Sequence, residues 1–302
     1  METVFIVDDN LIGNKKAIKA VLRAVLSWQQ ANDFPILFLT EASIDLADDP
    51  ELLALMSEAN IRVVFVGIET PNDESLRETG KLQNLRKGGS MVDKVHRIQE
   101  AGIEVWSGQI VGFDNDGPDI FDRQIAFIEE SGIVTSMVGM LSAIPKTPLY
   151  ARLAEAGRLD PLDQPESGTN AIPLRLERDQ LRDGYVRIMR TLYAPDAYFD
   201  RVRRLYLNGP LASLEHWPKR RGVSWLSRTI VVAAQAAFVA ARLQTRVDDR
   251  LLRSAYRSMI GEALSRRSPQ LLQILVIKCA MHYHAARLMR DMQGSQRLVN
   301  TI

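Results

Sequence analysis

The chain has 302 residues, 46% hydrophobic and 25% charged, which excludes wholesale disorder and suits one large domain or two smaller ones. A single cysteine, Cys279, excludes an internal disulfide framework and any metal site built from several thiolates of this chain. The net charge of +1 hides an asymmetry: residues 1–160 carry 15 Lys/Arg and 25 Asp/Glu, a net of −10, while residues 161–302 carry 23 and 12, a net of +11. Opposite halves predict two units docked on each other, or a basic unit facing an anionic partner.

Met1-Glu2-Thr3 runs straight into an apolar run with no basic region and no small-residue cleavage site. No signal peptide is read, and a cytoplasmic location is expected. Val4–Val7 predicts a short strand ending in Asp8-Asp9-Asn10. Ile18, Val21, Leu22, Val25 and Leu26 recur at three and four and predict a helix over Lys15–Gln30. Ile36–Thr40 is the second strand. A helix follows from Pro50, with Asp49 as N-cap. Val63–Ile68 is the third strand, a helix spans about 90–101, and Glu104–Phe113 is the fourth strand. A helix from Pro118 closes at Gly132, the fifth strand is Ile133–Ala143, and a short helix covers Pro148–Ala156. Near-continuous apolar strands alternating with helices predict a parallel sheet, either a barrel or an open doubly wound sheet.

The carboxyl ends of these strands are polar: Asp8-Asp9-Asn10, Thr40-Glu41, Glu69-Thr70, Asp114-Asn115-Asp116 and Ser142. In parallel α/β folds the ligand site lies at that edge. No GxGxxG or GxxxxGK[ST] loop is present, so a glycine cradle for nucleotide phosphates is not supported.

Residues 157–175 contain Gly157, Pro161, Pro165, Gly168 and Pro173 and read as a connector. The resulting division is a barrel-like unit over 1–160, a linker over 161–175 and a helical domain over 176–302. Helical periodicity covers about 177–193, 196–207, 224–243, 247–265 and 269–292. Thr229–Ala241 is apolar except for Gln235, too short to span a bilayer, and reads first as a buried core helix. The second reading is a membrane-surface helix, with Lys219-Arg220-Arg221, Trp217 and Trp225 as an interfacial anchor. The same basic cluster also reads as a contact to the acidic half. His96, His216, His282 and His284 have no metal-ligand spacing, and the basic half has no recognition motif for nucleic acid.

Residues 4–15 (Val-Phe-Ile-Val-Asp-Asp-Asn-Leu-Ile-Gly-Asn-Lys) resemble the second barrel strand of radical S-adenosylmethionine (SAM) enzymes of the cobalamin-binding class. Four later segments keep the family's order: Phe38–Ser43, Val66–Pro71, Gly108–Asp114 and Pro145–Tyr150. The remainder resembles the helical C-terminal extension of the hopanoid methylase-like subgroup. The resemblance implies a partial radical SAM-type (β/α) barrel lacking its first strand, followed by an all-helical domain. It also implies SAM, a four-iron four-sulfur cluster and cobalamin as cofactors, and methyl transfer to an unactivated carbon, with an apolar lipid as one acceptor.

The family's cluster motif, CxxxCxxC, and the usual cobalamin domain have no counterpart here. Cluster ligation needs several thiolates, so the cluster is not expected on this chain. The chain looks like the downstream piece of a longer protein, inactive alone, with an upstream polypeptide carrying those parts as its partner. The alternative is a non-catalytic ligand- or partner-binding remnant, or one half of a split enzyme. The resemblance carries SAM contacts onto Asp8, Asp9 and Asn10, where the family usually has Gly-Gly-Glu. It carries the ribose contact onto Glu69, and the adenine-side strand onto Gly108, Ile110 and Gly112. Core packing for Ile110 and a solvated helix cap for Asp8-Asp9 are the competing structural readings. A lipid or peripheral membrane contact at the inner surface is a further expected partner, and nucleic acid is not.

Overall fold

The computed structural model describes residues 2–85, 88–160, 168–213 and 223–294. Five parallel strands lie side by side in chain order: β1 (Glu2–Ile6), β2 (Ile36–Glu41), β3 (Ile61–Glu69), β4 (Glu104–Val111) and β5 (Thr135–Met140). The crossovers carry α1 (Lys15–Ala31), α2 (Pro50–Glu58), α3 (Asp73–Glu78) with α4 (Met91–Glu100), and α5 (Ile120–Ser131). After β5 come α6 (Pro148–Glu155), α7 (Arg178–Leu192), α8 (Pro195–Tyr206), α9 (Val223–Arg246), α10 (Arg250–Ser265) and α11 (Pro269–Gly294).

Local chemistry explains the boundaries. Asn14 accepts a hydrogen bond from the Ala17 N–H and caps α1, and Asp49 caps α2 with Pro50 at the first helical position. Gly132 closes α5 in the left-handed conformation, φ 68°. β4 stops at Val111, two residues before the sequence pattern suggests, because the Gly112 N–H leaves the ladder for Asp116 Oδ2 at 2.9 Å. The one-turn α3 and a 3₁₀ turn at Ile44–Asp48 are too short to leave a periodic stripe, and the sequence reading lacks both.

The strand order never reverses. Val64, Val66, Ile68, Val105, Val111, Val138 and Met140 all pack into one core with residues of α1, α2, α4, α5 and α7. A doubly wound sheet reverses its order and buries both faces under crossover helices. Of the two arrangements open to the sequence, the structure is therefore the barrel type: a half-barrel whose free edges are β1 and β5. Alternate residues point to the opposite, inner face, among them Val63, Phe65, Trp106, Gly108 and Ile110.

A second core forms among α8, α10 and α11 around Tyr198, Phe199, Tyr256, Met259 and Cys279. Burial pushes the Cys279 thiol up to about 12, which keeps it an inert core group. His282 is fully buried there; its Nδ1 accepts from the Tyr256 hydroxyl at 2.8 Å, and its Nε2 donates to the Tyr193 carbonyl at 3.1 Å. Burial lowers its pKa to about 4.

The two halves are docked through opposite charges. Lys278 Nζ on α11 meets Glu104 Oε1 on the inner face of β4 at 2.5 Å, with both side chains at most 4% exposed. The Tyr206 hydroxyl on α8 donates to Glu104 Oε2 at 2.5 Å, and Lys278 lies 5.6 Å from the centre of the Trp106 ring. Glu129 on α5 binds Arg201 and Arg204 of α8, and Asp122 binds Arg187 of α7. Between the lower sheet and α11 a cavity of about 250 Å3 remains, lined by Leu37, Leu39, Val63, Trp106, Ile274 and Met281. The Lys219–Arg221 cluster lies outside the described residues.

Residues 168–175 of the connector are described. The Asn170 side chain bonds both the N–H and the carbonyl of Ala143 at 2.8 Å, and Leu159 bridges Ala171 antiparallel. This part of the connector is pinned to the end of β5. The core-helix reading of 229–241 is overturned. In α9, Ile230 is 61% exposed and Phe238 62%, while Ala236 and Leu243 are the buried residues among the described side chains of this helix.

Two measurements check this account. Lys278→Met strands a buried carboxylate and should cost about 3–5 kcal/mol in urea melts; adding Glu104→Gln should recover most of that loss. The second concerns pH. Unfolded His282 takes its proton near 6.5, and the folded one only near about 4. Between those values the unfolded chain binds more protons, so stability is complete above pH 6.5 and falls as pH drops to 4, by about 3 kcal/mol in all. His282→Gln should remove that component from the pH dependence of Tm.

Candidate functional site

Because all five strands are parallel, their carboxyl ends form one rim. The polar strand ends picked out in the sequence therefore share an edge, though they play different roles there. Asp8 and Asp9 lie exposed beyond β1. Asp8 Oδ1 accepts from the Asn10 N–H at 2.9 Å, closing a local turn. The helix-cap reading of these aspartates fails, since Asn14 caps α1. Asn10 Oδ1 accepts from the Ser43 N–H at 3.1 Å and so joins the loops after β1 and β2.

Glu69 is the most distinctive rim residue. The pairing of β3 with β4 slips between Gly67 and Glu69, and Glu69 adopts φ 65°. A bulge of this kind re-aims a side chain, and a left-handed non-glycine residue costs of order 1 kcal/mol or more. The carboxylate folds back over Gly67, where an added Cβ would sit 2.7 Å from Glu69 Oε1. Lys81 Nζ holds the same oxygen at 2.7 Å. Asn84 braces the strand end from beside it, donating to the carbonyls of Gly67 at 3.2 Å and Ile68 at 2.9 Å. Asn84 Oδ1 is a buried acceptor with no partner among the described residues.

The three β4 positions separate. A Cβ on Gly108 would lie 2.7 Å from Phe65 Cζ, so the space left by this glycine is filled by a phenylalanine ring. Gly112 has φ 103° and faces Leu181 of α7, away from the inner face. Its role is the turn into the Asp114–Asp116 loop. Ile110 is half-buried on the inner face and packs beside Phe113, Leu141 and Leu153, which favours its packing role while leaving an edge toward the rim.

The Asp114–Asp116 strand end marked in the sequence is joined at the rim by Glu78, which carries no sequence signal of its own. Asp116 is fully buried; its Oδ2 accepts from the N–H groups of Gly112 and Phe113, and its Oδ1 accepts from Ser75 at 2.9 Å and Asn72 at 3.4 Å. Burial raises its pKa against those hydrogen bonds. Asp114 binds Arg158 at 2.5 Å and also Arg152, which reaches Glu78 at 3.0 Å. Burial lifts Asp114, but the two arginines outweigh it and leave its carboxyl below the usual range. Glu78, half-buried and next to Asp114, is raised. Arg152 lies 74 positions from Glu78, so periodicity could not have paired them. No group of three or more His, Cys, Asp or Glu able to hold a metal occurs among the described residues.

Residues 147–297, α6 through α11, match the family described as a domain of unknown function, DUF4070. The chain belongs to the DUF4070 family. It is 42% identical over 211 residues to a protein of Synechocystis named as an uncharacterized methyltransferase, an alignment covering 68% of this chain and 38% of that protein. It is 38% identical over 199 residues to the hopanoid C-2 methylase of Rhodopseudomonas palustris, covering 66% of this chain and 37% of the relative. This DUF4070 protein thus spans under two fifths of the length of either curated relative. Among solved structures, a radical SAM methyltransferase, TsrM of Kitasatospora setae, with cobalamin and a four-iron four-sulfur cluster bound, aligns with a TM-score of 0.45 at 18% identity. That alignment covers 61% of this chain and 37% of TsrM. The resemblance to hopanoid methylase-like proteins holds, and relatives of the DUF4070 chain are methyltransferases by name.

The glycine gap at β4 is open to direct measurement. Gly108→Ala should cost about 1–3 kcal/mol by overpacking against Phe65, and Phe65→Leu in the same chain should relieve it. A neutral Gly108→Ala in thermal melts would mean that the space is free for a ligand.

Proposed function

We propose that this chain is the downstream part of a radical SAM, cobalamin-dependent methyltransferase that acts on an unactivated carbon of an apolar, lipid-like acceptor. The observation that carries the reading is the Glu69 bulge. A strained, re-aimed carboxylate at the ligand-bearing edge of a parallel half-barrel suits the paired hydroxyl donors of a ribose. Asp8, Asp9 and Asn10 remain the proposed contacts for the rest of SAM. Ile110, with its edge toward the rim, remains the proposed contact for the adenine. Gly108 and Gly112 would serve by letting Phe65 and the Asp116 loop close around it.

The chain's residues do not fit the iron–sulfur cluster. Its one cysteine is buried in the second core, and a cluster of this type needs several thiolates. No chemical step is therefore assigned to the cluster on this chain. We propose instead that a polypeptide or segment bearing the thiolates and the cobalamin site pairs with the half-barrel. β1 offers an open strand edge for it, with Val4 37% and Phe5 49% exposed. Contact with a lipid surface at the inner membrane is part of the same proposal. Among the described residues no helix is long and apolar enough to cross a membrane.

Two assays test the reading on the full chain. Anaerobic reconstitution with iron and sulfide should give no stable four-iron four-sulfur absorbance, and a stoichiometric cluster surviving Cys279→Ala would sink the partner requirement. In equilibrium dialysis SAM should bind weakly, and Glu69→Gln should weaken it about tenfold, the value of one hydrogen bond to a charged group. If SAM does not bind, or binds equally to Glu69→Gln, the rim belongs to the non-catalytic alternative.

A further inference from the structure

α9 lies along α11 on the outside of the helical domain, and its outer face is apolar. Ile230, Val231, Ala234, Ala237, Phe238 and Ala241 are all exposed and recur at three and four. On a helix this spacing makes one continuous stripe. Ala236 and Leu243, at the opposite angle, are buried. A soluble surface rarely carries so ordered an apolar face without an occupant. Leu251, in the first turn of α10, is also exposed, at 81%.

The charge beside the stripe selects the occupant. Arg242, Arg246 and Arg250 are exposed and pair with no carboxylate among the described residues. The Arg242 guanidinium lies 5.2 Å from the centre of the Phe238 ring, at the border of apolar and polar surface. Asp249 is engaged as the N-cap of α10, accepting from the N–H groups of Leu251 and Leu252. A long helix with an apolar face, arginines along its border and no capacity to span is the form that lies in a bilayer interface. We infer that α9 docks the protein on an anionic lipid surface, with its stripe among the upper acyl chains and Arg242, Arg246 and Arg250 at the headgroups. This rests on the peripheral contact proposed above and is independent of methyl transfer.

The test uses the full chain and sedimentation with large vesicles, neutral phosphatidylcholine against phosphatidylcholine with about one third phosphatidylglycerol. Each basic side chain near such a surface raises partitioning about fivefold, so the three arginines are together worth roughly a hundredfold. Binding should therefore favour anionic vesicles, weaken with salt as the Debye length shrinks, and drop roughly a hundredfold in the Arg242→Gln, Arg246→Gln, Arg250→Gln variant. Val231→Asp with Phe238→Asp should abolish it. All five positions are exposed, so thermal melts and SAM dialysis of both variants should match the parent chain. A failure of SAM binding alone leaves this inference standing. It is overturned if the chain ignores anionic vesicles at low salt, or binds neutral vesicles equally well. It is overturned too if the aspartate pair leaves vesicle binding intact while converting a dimer to a monomer in sedimentation velocity, which would give the stripe to a second copy.

Discussion

Glu104 opens β4 on the inner face of the sheet, where it is 2% exposed and a lone carboxylate would be costly to bury. The cation that answers it comes from α11, 174 positions later, and a tyrosine hydroxyl from α8 takes the second oxygen. Such a pair adds little net stability over an apolar replacement, but breaking it is severe. Its structural consequence is directional. With Lys278 held at the inner face near the amino ends of β4 and β5, α11 must run beneath the half-barrel, and the rest of the helical domain follows it. The buried Arg201 on Glu129 repeats the arrangement one helix away. The opposite charges of the two halves are in this way largely an account of how they dock.

Closing the floor leaves the carboxyl edge of the sheet as the open end. There the rim is built by buried hydrogen bonds more than by exposed charge. Asp116 gathers four donors from two loops, and Asp114 with Glu78 holds two arginines of the α6 region over the rim. Within that frame Glu69 stands in a conformation its residue type disfavours, held by Lys81 and admitted only because position 67 lacks a Cβ. Strain that persists in a well-packed setting points to a role for the side chain it displays. The same docking turns α9 outward, because α11 already has α8 and the sheet on its other sides.

Sequence alone determined the alternation of strands and helices, since β-branched runs and three-four apolar stripes are local properties. It determined the caps at Asp49 and Gly132, and it located one edge of polar strand ends, because a parallel sheet must bring them together. It also determined that no thiolate set for a cluster exists, which is a matter of counting. Tertiary structure decided what depends on distance. Half-barrel rather than doubly wound sheet was settled by which face the helices share, and periodicity is blind to that choice. Gly108 and Gly112, four apart, would share one face of a regular strand, yet one faces Phe65 and the other Leu181, because β4 ends before Gly112 and the chain turns there at φ 103°. Thr229–Ala241 is apolar enough for a core, and only the packing of α11 decided that its stripe faces outward. The pairing of Glu104 with Lys278 was invisible for the same physical reason: an ion pair acts through space at a few ångströms, and nothing in the local pattern records which distant charge will arrive.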